Sequence, residues 1–262
     1  MKGVLICGGT GSRLKPLTDI TNKSLLPVYD RPLILYPLDV LLKADIREII
    51  VISGTEHIDQ MSSFLGNGTR FGCELSYRVQ EKAGGIAQAL GLAEEFAHGD
   101  SVCAILGDNI FFDDISHDIR AFTSGSHIFL KEVPDAERFG VAELEGDRVV
   151  RIEEKPAFPK SNLAVTGCYV YDNHCFDSIR TLTPSVRGEL EITDLSNRYA
   201  AEGSLKATVL RDEWVDAGTF ESLYEAATLV RKRHMHARAT AMPIIEAQLE
   251  TGTPAKKPAT AN

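Results

Sequence analysis

The first 23 residues constrain this chain more than any other stretch. An apolar run from Gly3 to Cys7 empties into a loop with glycines at 8, 9 and 11, and Arg13, Lys15 and Lys23 follow within a dozen residues. Glycines carry no Cβ, so backbone N–H groups in such a loop can turn inward and lie close against a phosphate chain. The cations then supply neutralising charge. Up to Arg31 the chain has five Lys and Arg against two Asp, although the whole molecule has a net charge of −9. A plain glycine-rich β–α turn accounts for the glycines but not for this local reversal of sign. Strand, glycine loop and spaced cations together predict a nucleoside triphosphate site.

Two other glycine loops match less well. The dinucleotide fingerprint requires a third glycine where Leu14 stands, and an acid about twenty residues on at the end of a second strand. The mononucleotide P-loop requires Gly-Lys-Ser/Thr after four intervening residues, and the chain has no such run.

Strand-like runs KGVLIC, EIIVIS, ELSYRV, VCAILG and HIFLKE recur with helical stretches between them. Pro32 is placed to open a helix running to about Ala44, before the strand at Glu48–Ser53. Ile86, Leu90, Ala93 and Phe96/Ala97 fall at helical spacing after Gly84-Gly85. This alternation predicts a three-layer α/β/α fold around a mixed, mostly parallel sheet, with a Rossmann-like nucleotide-binding half. Ligands of such sheets gather at the carboxyl ends of the strands, where the glycine loop and the LGDN turn at 106–109 belong. From about residue 126 the runs HIFLKEV, GVAEL, RVVRIEE and VTGCYVYD follow closely, with a turn at Glu145-Gly146-Asp147. They read as added, partly antiparallel β structure, followed by helices at 191–202 and about 219–233. The expected organisation is one domain over 1–233, divided at about 125/126 into a nucleotide half and an embedded acceptor half. A C-terminal helical segment covers 234–250, and the Pro-, Ala-, Lys- and Thr-rich tail 251–262 is expected to be disordered.

Composition excludes several classes. A pI near 5.3 argues against a general nucleic-acid binder. The five cysteines (7, 73, 103, 168 and 175) have no Cys-x-x-Cys spacing and read as buried thiols of a reducing cytoplasm. No apolar stretch reaches the eighteen or so residues of a membrane span, and the glycine loop arrives too early for a signal peptide. A soluble, cytoplasmic protein is expected.

Asp108, in AILGDNIF, and Asp216, in EWVDAGT, each follow an apolar strand. Either could be a turn acid capping local backbone. Alternatively the pair could share a Mg²⁺, which takes one or two carboxylates and fills its octahedron with phosphate oxygens and water. Lys155, in IEEKPAFPKSN, is held out of a helix by Pro156 and could reach a cleft from an extended segment. Glu154 beside it could accept hydrogen bonds from sugar hydroxyls, though an exposed charged hairpin would look the same. The seven histidines show no metal-ligand spacing, and no Gly-x-Ser-x-Gly or singular cysteine marks a covalent nucleophile.

The strings GGTGSRLKPLT, NKSLLPVYDRP, LGDNIF, EEKP, PKSN and AVTG, and WVDAGT, in this order and spacing from Lys2 to about Ala227, resemble those of the glucose-1-phosphate thymidylyltransferases. These enzymes belong to the sugar-nucleotidyltransferase superfamily, and the chain is similar to a short form of them. The resemblance implies that Gly8, Gly9, Gly11 and Ser12 hold the nucleotide and that Arg13 binds its β- and γ-phosphates. It places Lys23 on the α-phosphate, Asp108 and Asp216 on Mg²⁺, and Lys155 on both the sugar phosphate and the attacked phosphorus. Gln80 and the backbone of Gly85 would read the base, with Asp108 also among the nucleotide contacts. Gly140, Glu154, Val165 and Arg187 would frame the sugar phosphate, making the acceptor half a sugar-phosphate-binding half. The implied catalytic cations are Arg13, Lys23 and Lys155.

Three departures from the family pattern stand out: Ser12 for Thr, Glu81-Lys82-Ala83-Gly84 for a more typical Pro-Ser-Pro-Asp, and a chain shorter than the family's longer members. The last part of those helps build a regulatory nucleotide site, so feedback of that kind is expected to be missing or altered. The implied activity makes dTDP-glucose and pyrophosphate from dTTP and glucose 1-phosphate, with no nucleic-acid or membrane partner, in a homo-oligomer (dimer or tetramer). A uridylyltransferase using UTP, a non-catalytic nucleotide sensor and, more remotely, a nicotinamide dehydrogenase are the alternatives.

Overall fold

The structure is a computed structural model that describes residues 1–9 and 11–250; the tail 251–262, expected to be disordered, lies outside the described residues. The first half runs β1 (Lys2–Cys7), β2 (Pro27–Val28), β3 (Arg31–Pro32), α1 (Leu35–Lys43), β4 (Glu48–Gly54), α2 (Ile58–Leu65) and β5 (Glu74–Gln80). It continues through α3 (Ile86–Gly91), α4 (Glu94–Ala97), β6 (Val102–Leu106), β7 (Asn109–Phe111) and α5 (Ser116–Arg120). The second half holds β8 (Ser126–Glu132), β9 (Gly140–Glu145), β10 (Arg148–Glu154), β11 (Leu163–Tyr171) and α6 (His174–Ile179). It ends in α7 (Ile192–Ala201), β12 (Leu205–Val209), β13 (Trp214–Asp216) and α8 (Phe220–Glu250).

Nine strands form one sheet in the order β10-β9-β11-β6-β1-β4-β5, with β8 pairing to β11 and β12 to β8. β1, β4, β5 and β6 are mutually parallel, while β9, β10 and β11 run antiparallel to their neighbours. The sheet is therefore mixed, as the change of pattern at residue 126 predicts. Alternation along β1 explains why its run is apolar throughout. Val4 and Ile6 pack on one face with α3, α6 and α7, whereas Leu5 and Cys7 pack on the other with α1, α2 and α5. Both faces are covered, so both sets of side chains are buried, giving three layers. All five cysteines are buried and free. No helix among the described residues is long and apolar enough to cross a membrane.

Three local expectations are corrected. Pro32 does not open α1; it pairs with Pro27 in a two-residue ribbon, and the helix starts at Leu35. Pro37 lies in its first turn instead, where a missing N–H costs no intrahelical bond. The helix after Gly85 breaks at Leu92–Ala93 into α3 and α4. Beyond 219, α8 runs through residue 233 without interruption to Glu250, so the two expected C-terminal helical pieces are one element.

Candidate active site

A separate two-stranded ribbon, β7 with β13, assembles the site. Its antiparallel register sets Asp216 opposite Asn109, and the Ala217 N–H donates to the Asp108 carbonyl at 2.9 Å. Two acids remote in sequence are thereby brought to one end of the sheet. The ribbon is anchored by an apolar cluster in which Ile110 and Val215 pack with Ala226 and Val230 of α8.

Lys23 arrives from the other side. Asn22 ties its turn to the end of β1: the side-chain amide donates to the Cys7 carbonyl (3.0 Å) and accepts from the Ser24 N–H (2.8 Å). The Lys23 ammonium then donates to Asp108 Oδ2. Asp108 Oδ1 accepts from the Asn109 amide at 3.0 Å. Asn109 Oδ1 in turn accepts from the Gly167 N–H (3.0 Å) and the Trp214 indole N–H (2.7 Å). The Gly167 N–H is free for this because β11 shifts register between Val165 and Tyr169. Asn109 and Trp214 thus position Asp108, although the sequence marked only the acid.

The electrostatics of the two acids differ. Burial opposes ionisation of Asp108, but the charge and hydrogen bond of Lys23, with help from Asn109, hold its pKa below the ordinary carboxylate value. Burial would likewise lower Lys23, yet Asp108, with Asp216 adding, carries it above its usual value. Asp216 has no such partner. Burial and then the charge of Asp108 push it up to about 6, against weaker opposition from Lys23, Arg13 and Arg138. No donor among the described residues hydrogen-bonds its carboxylate. Two carboxylates at one strand end, one of them short of positive charge, fit a hard divalent cation. Among the described residues no group of three or more His, Cys, Asp and Glu is placed to hold a metal ion.

A cleft of about 610 Å³ opens over this ribbon, walled by Ser12, Arg13, Lys23, Asp108, Gly140, Glu154, Lys155, Val165, Arg187 and Asp216. It shares Lys23 and Asp108 with a hollow of about 200 Å³ that holds Gly8, Gly9, Gln80 and Gly85. Every residue that the resemblance assigns to the site therefore meets there except Gly11, which lies outside both walls; Lys15 also lies outside them, paired with Asp19 at 3.0 Å. Gly11 has φ +60° and precedes the single turn Ser12–Leu14, and a Cβ there would press on Thr18 at 2.8 Å, so it shapes the loop. Arg13 is solvent-exposed but lies over the ribbon: a Cβ at Gly218 would stand 2.7 Å from Arg13 Nη2 and 3.2 Å from Asp216 Oδ1.

Gly85 has φ +99°, and a Cβ there would meet the Leu190 carbonyl at 2.4 Å. Gln80 is buried; its Nε2 donates to the Gly85 carbonyl (3.3 Å) and to Gln88 Oε1 (2.6 Å). Lys155 is not extended as expected. It adopts φ +45°, a conformation costly for a residue with Cβ. Its N–H completes the β9–β10 ladder on the Phe139 carbonyl at 2.9 Å, and the left-handed turn then aims the chain away from the sheet. Glu154 accepts from Thr193 Oγ1 and from Arg187 (3.2 Å). Arg187 also donates to Glu191 (2.8 and 3.1 Å) and Glu189 (3.2 Å). Sequence reasoning passed over Arg138, Glu189, Glu191, Thr193 and Trp214. RGELEIT carries three of them, and Trp214 is the chain's single tryptophan.

A mixed sheet whose strand ends hold an acid pair, a glycine loop and converging cations defines a nucleotidyltransferase site. The nucleotidyl transferase family matches residues 2–233, and the chain belongs to it. Within that family it is 48% identical over 238 residues to glucose-1-phosphate thymidylyltransferase of Neisseria meningitidis serogroup A, covering 88% of this chain and 83% of that protein. It is 40% identical to the enzyme of the same name from Mycobacterium tuberculosis, over 88% of this chain and 82% of the other. A Bacillus anthracis structure provisionally assigned as a glucose-1-phosphate thymidylyltransferase, solved with sucrose, superposes with a TM-score of 0.85 at 50% identity, covering 88% of this chain and 95% of that one. UDP-glucose pyrophosphorylase complexed with UDP-glucose shares the fold, with a TM-score of 0.79 at 22% identity over 88% and 98% of the two chains.

Proposed function

We propose that the chain makes dTDP-glucose and pyrophosphate from dTTP and glucose 1-phosphate. The observation that carries this reading is the convergence of Arg13, Lys23 and Lys155 with the Asp108–Asp216 pair in one cleft, with no histidine on its wall. The nucleophile, a phosphate monoester, is already anionic at neutral pH because its second pKa is about 6. No general base is then needed. What the site must do is bring two polyanions together and stabilise charge at the phosphorus under attack.

In this reading the glycine loop and Ser12 hold the nucleotide, and Arg13 neutralises the β- and γ-phosphates that leave. Lys23, fixed by Asp108, meets the α-phosphate. Lys155 bridges the sugar phosphate and the attacked phosphorus. Asp108 and Asp216 hold Mg²⁺, which when bound neutralises the triphosphate and supplies Lewis-acid stabilisation. Gly140, Glu154 and Val165 frame the sugar, with Arg187 fixing the carboxylates around it. Gln80 reads the base: with Nε2 engaged, Oε1 is left to accept from the N3–H that thymine and uracil share. The unusual Glu81 and Lys82 are exposed, and of residues 81–84 only Ala83 lines the base hollow.

Pyrophosphate release with glucose 1-phosphate and Mg²⁺, supplying dTTP, UTP, CTP, ATP and GTP separately, tests the reading. Fastest turnover is expected with dTTP, and appreciable turnover with UTP, since one methyl in an apolar pocket is worth roughly 1 kcal/mol. A UTP preference would make the chain a uridylyltransferase; silence with all five would mean another sugar phosphate or a sensor, which nucleotide binding would separate.

Lys155→Ala is expected to lower kcat about 10²- to 10³-fold, by analogy with loss of an oxyanion donor. Its melting temperature should scarcely move, because the side chain is half exposed and its ammonium stands 3.8 Å from the Glu154 carboxylate. Retention of most turnover would reduce Lys155 to a surface lysine.

A further inference from the structure

Gln80, the last residue of β5, is buried and lines the base hollow, and what it offers a base depends on which way its amide faces. The network around it decides. The Gly85 carbonyl can only accept, so the amide atom opposite it is Nε2. The same Nε2 stands 2.6 Å from the Gln88 side chain, whose atom there is therefore Oε1. The contact to Gln88 is the stronger one: the Gly85 carbonyl lies at 3.3 Å and also takes the Ala89 N–H of α3 at 3.1 Å. With Nε2 engaged twice, Oε1 is left against the glycine loop, where a Cβ at Gly8 would collide with it.

Gln88 does not itself line the hollow. It is half-buried in the first turn of α3, and the acceptor half clamps that turn from both sides. The Leu190 N–H donates to the Gly84 carbonyl at 2.8 Å, and the Leu190 carbonyl accepts from the Ala87 N–H at 3.2 Å. The Gln88 side chain lies across Gly84, where a Cβ would stand 3.1 Å from Cγ, 3.3 Å from Cδ and 3.4 Å from Oε1. A residue with a Cβ at 84 would press Gln88 off this path. Gly84 stands where the family pattern has Asp, and the glycine clears the way by which Gln88 reaches Gln80.

We infer that Gln88 is a positioning residue for base selection: by holding Gln80 Nε2 it turns Oε1 to the base. A base with an N3–H is then accepted, and cytosine, whose N3 is itself an acceptor, is rejected. This rests on the reading of Gln80 as the base-contacting residue given above. Without the Gln88 acceptor the Gln80 amide can turn over and present Nε2, which suits cytosine N3. Gln88 touches no substrate and acts only through the orientation of its neighbour.

Steady-state kinetics with dTTP and dCTP in wild type, Gln88→Met, Gln88→Glu and Gln88→Lys tests this. Met keeps length and helix propensity but removes the amide acceptor, Glu keeps an acceptor, and Lys offers donors only. The ratio of kcat/KM for dTTP over dCTP is expected to fall roughly tenfold in Gln88→Met and at least as far in Gln88→Lys. It should stay within about threefold of wild type in Gln88→Glu. A merely structural role would lower both substrates alike and leave the ratio where it was. An unchanged ratio in Gln88→Met, or a Gln88→Glu that loses it as Gln88→Met does, would overturn the proposal. Should Gln88→Met fail to fold, Gln88→Glu against Gln88→Lys carries the same comparison, and equal ratios in those two overturn it. If wild type shows no turnover, the reaction proposed above is wrong, and thermal protection by the two nucleotides decides instead. Stronger protection of wild type by dTTP than by dCTP, lost in Gln88→Met, supports the assignment. Equal protection by both nucleotides, protection by neither, or a difference that Gln88→Met keeps overturns it.

Discussion

Lys23→Met is expected to damage the fold as well as the reaction. Lys23 and Asp108 are largely buried, their side chains 18% and 6% exposed, and Asp216 lies at the same strand end. Removing the ammonium leaves two carboxylates facing each other with no cation between them. Breaking such a pair from one side costs about 3–5 kcal/mol, which for a domain of this size lowers the melting temperature by roughly 10 °C. The pH dependence identifies the cause. In wild type Asp108 has a depressed pKa, so its stabilising contribution is present above the unfolded carboxylate pKa and is lost as pH falls through the folded one. In Lys23→Met that contribution is gone. The deficit should therefore be largest at neutral pH and shrink as pH falls below about 4 toward the depressed folded pKa of Asp108. Melting curves taken from neutral pH down to well below pH 4 read it directly. Lys23→Met combined with Asp108→Asn should recover much of the loss, since no buried charge then lacks a partner. A deficit independent of pH, or absent, would show that the ion pair does not hold this corner together.

Asp216→Asn should do the reverse, making the metal-free protein more stable while abolishing turnover. The pKa of Asp216 is raised to about 6 from an ordinary 3.8. The folded state thus prefers the protonated acid, and its favourable contribution is complete below the unfolded value and lost as pH rises through the folded one. Wild type should lose stability between about pH 4 and pH 6, and Asp216→Asn should not. After discounting for solvent at this partly buried group, the advantage above pH 6 is about 1–2 kcal/mol. It should vanish below about pH 4. Adding Mg²⁺ with dTTP should raise the melting temperature of wild type more than that of the variant. Turnover should fall at least about 10²-fold. A variant that is less stable than wild type in chelator at pH 7.5 would mean that Asp216 is a structural acid.

The legibility of this protein in its sequence was uneven for identifiable reasons. Val4 to Cys7 spell a strand buried on both faces, and Gly8, Gly9, Arg13 and Lys23 carry their meaning within 25 residues. The information there is local. Lys155 was half legible: Pro156 excludes a helix, but the left-handed turn follows from how β10 leaves the sheet beside Phe139. In the sequence Asn109 is only a neighbour of Asp108 and not its support, because the partners that give it that role, Gly167 and Trp214, lie in strands far along the chain. Arg138 has no local signature at all.

The sequence by itself determined the parts: a parallel α/β half, an added β half, a phosphate-binding loop, two acids at strand ends and the lysine before a proline. Only the tertiary structure decided that they meet. Pairing of β7 with β13 sets Asp216 beside Asn109 and Asp108, and the irregularity in β11 turns the Gly167 N–H toward Asn109. The Asn22 side chain brings Lys23 back to the end of β1. The reason is physical: side-chain period and turn chemistry act over a few residues, whereas strand pairing and charge compensation join residues a hundred positions apart, where only the packed chain has closed the loop between them.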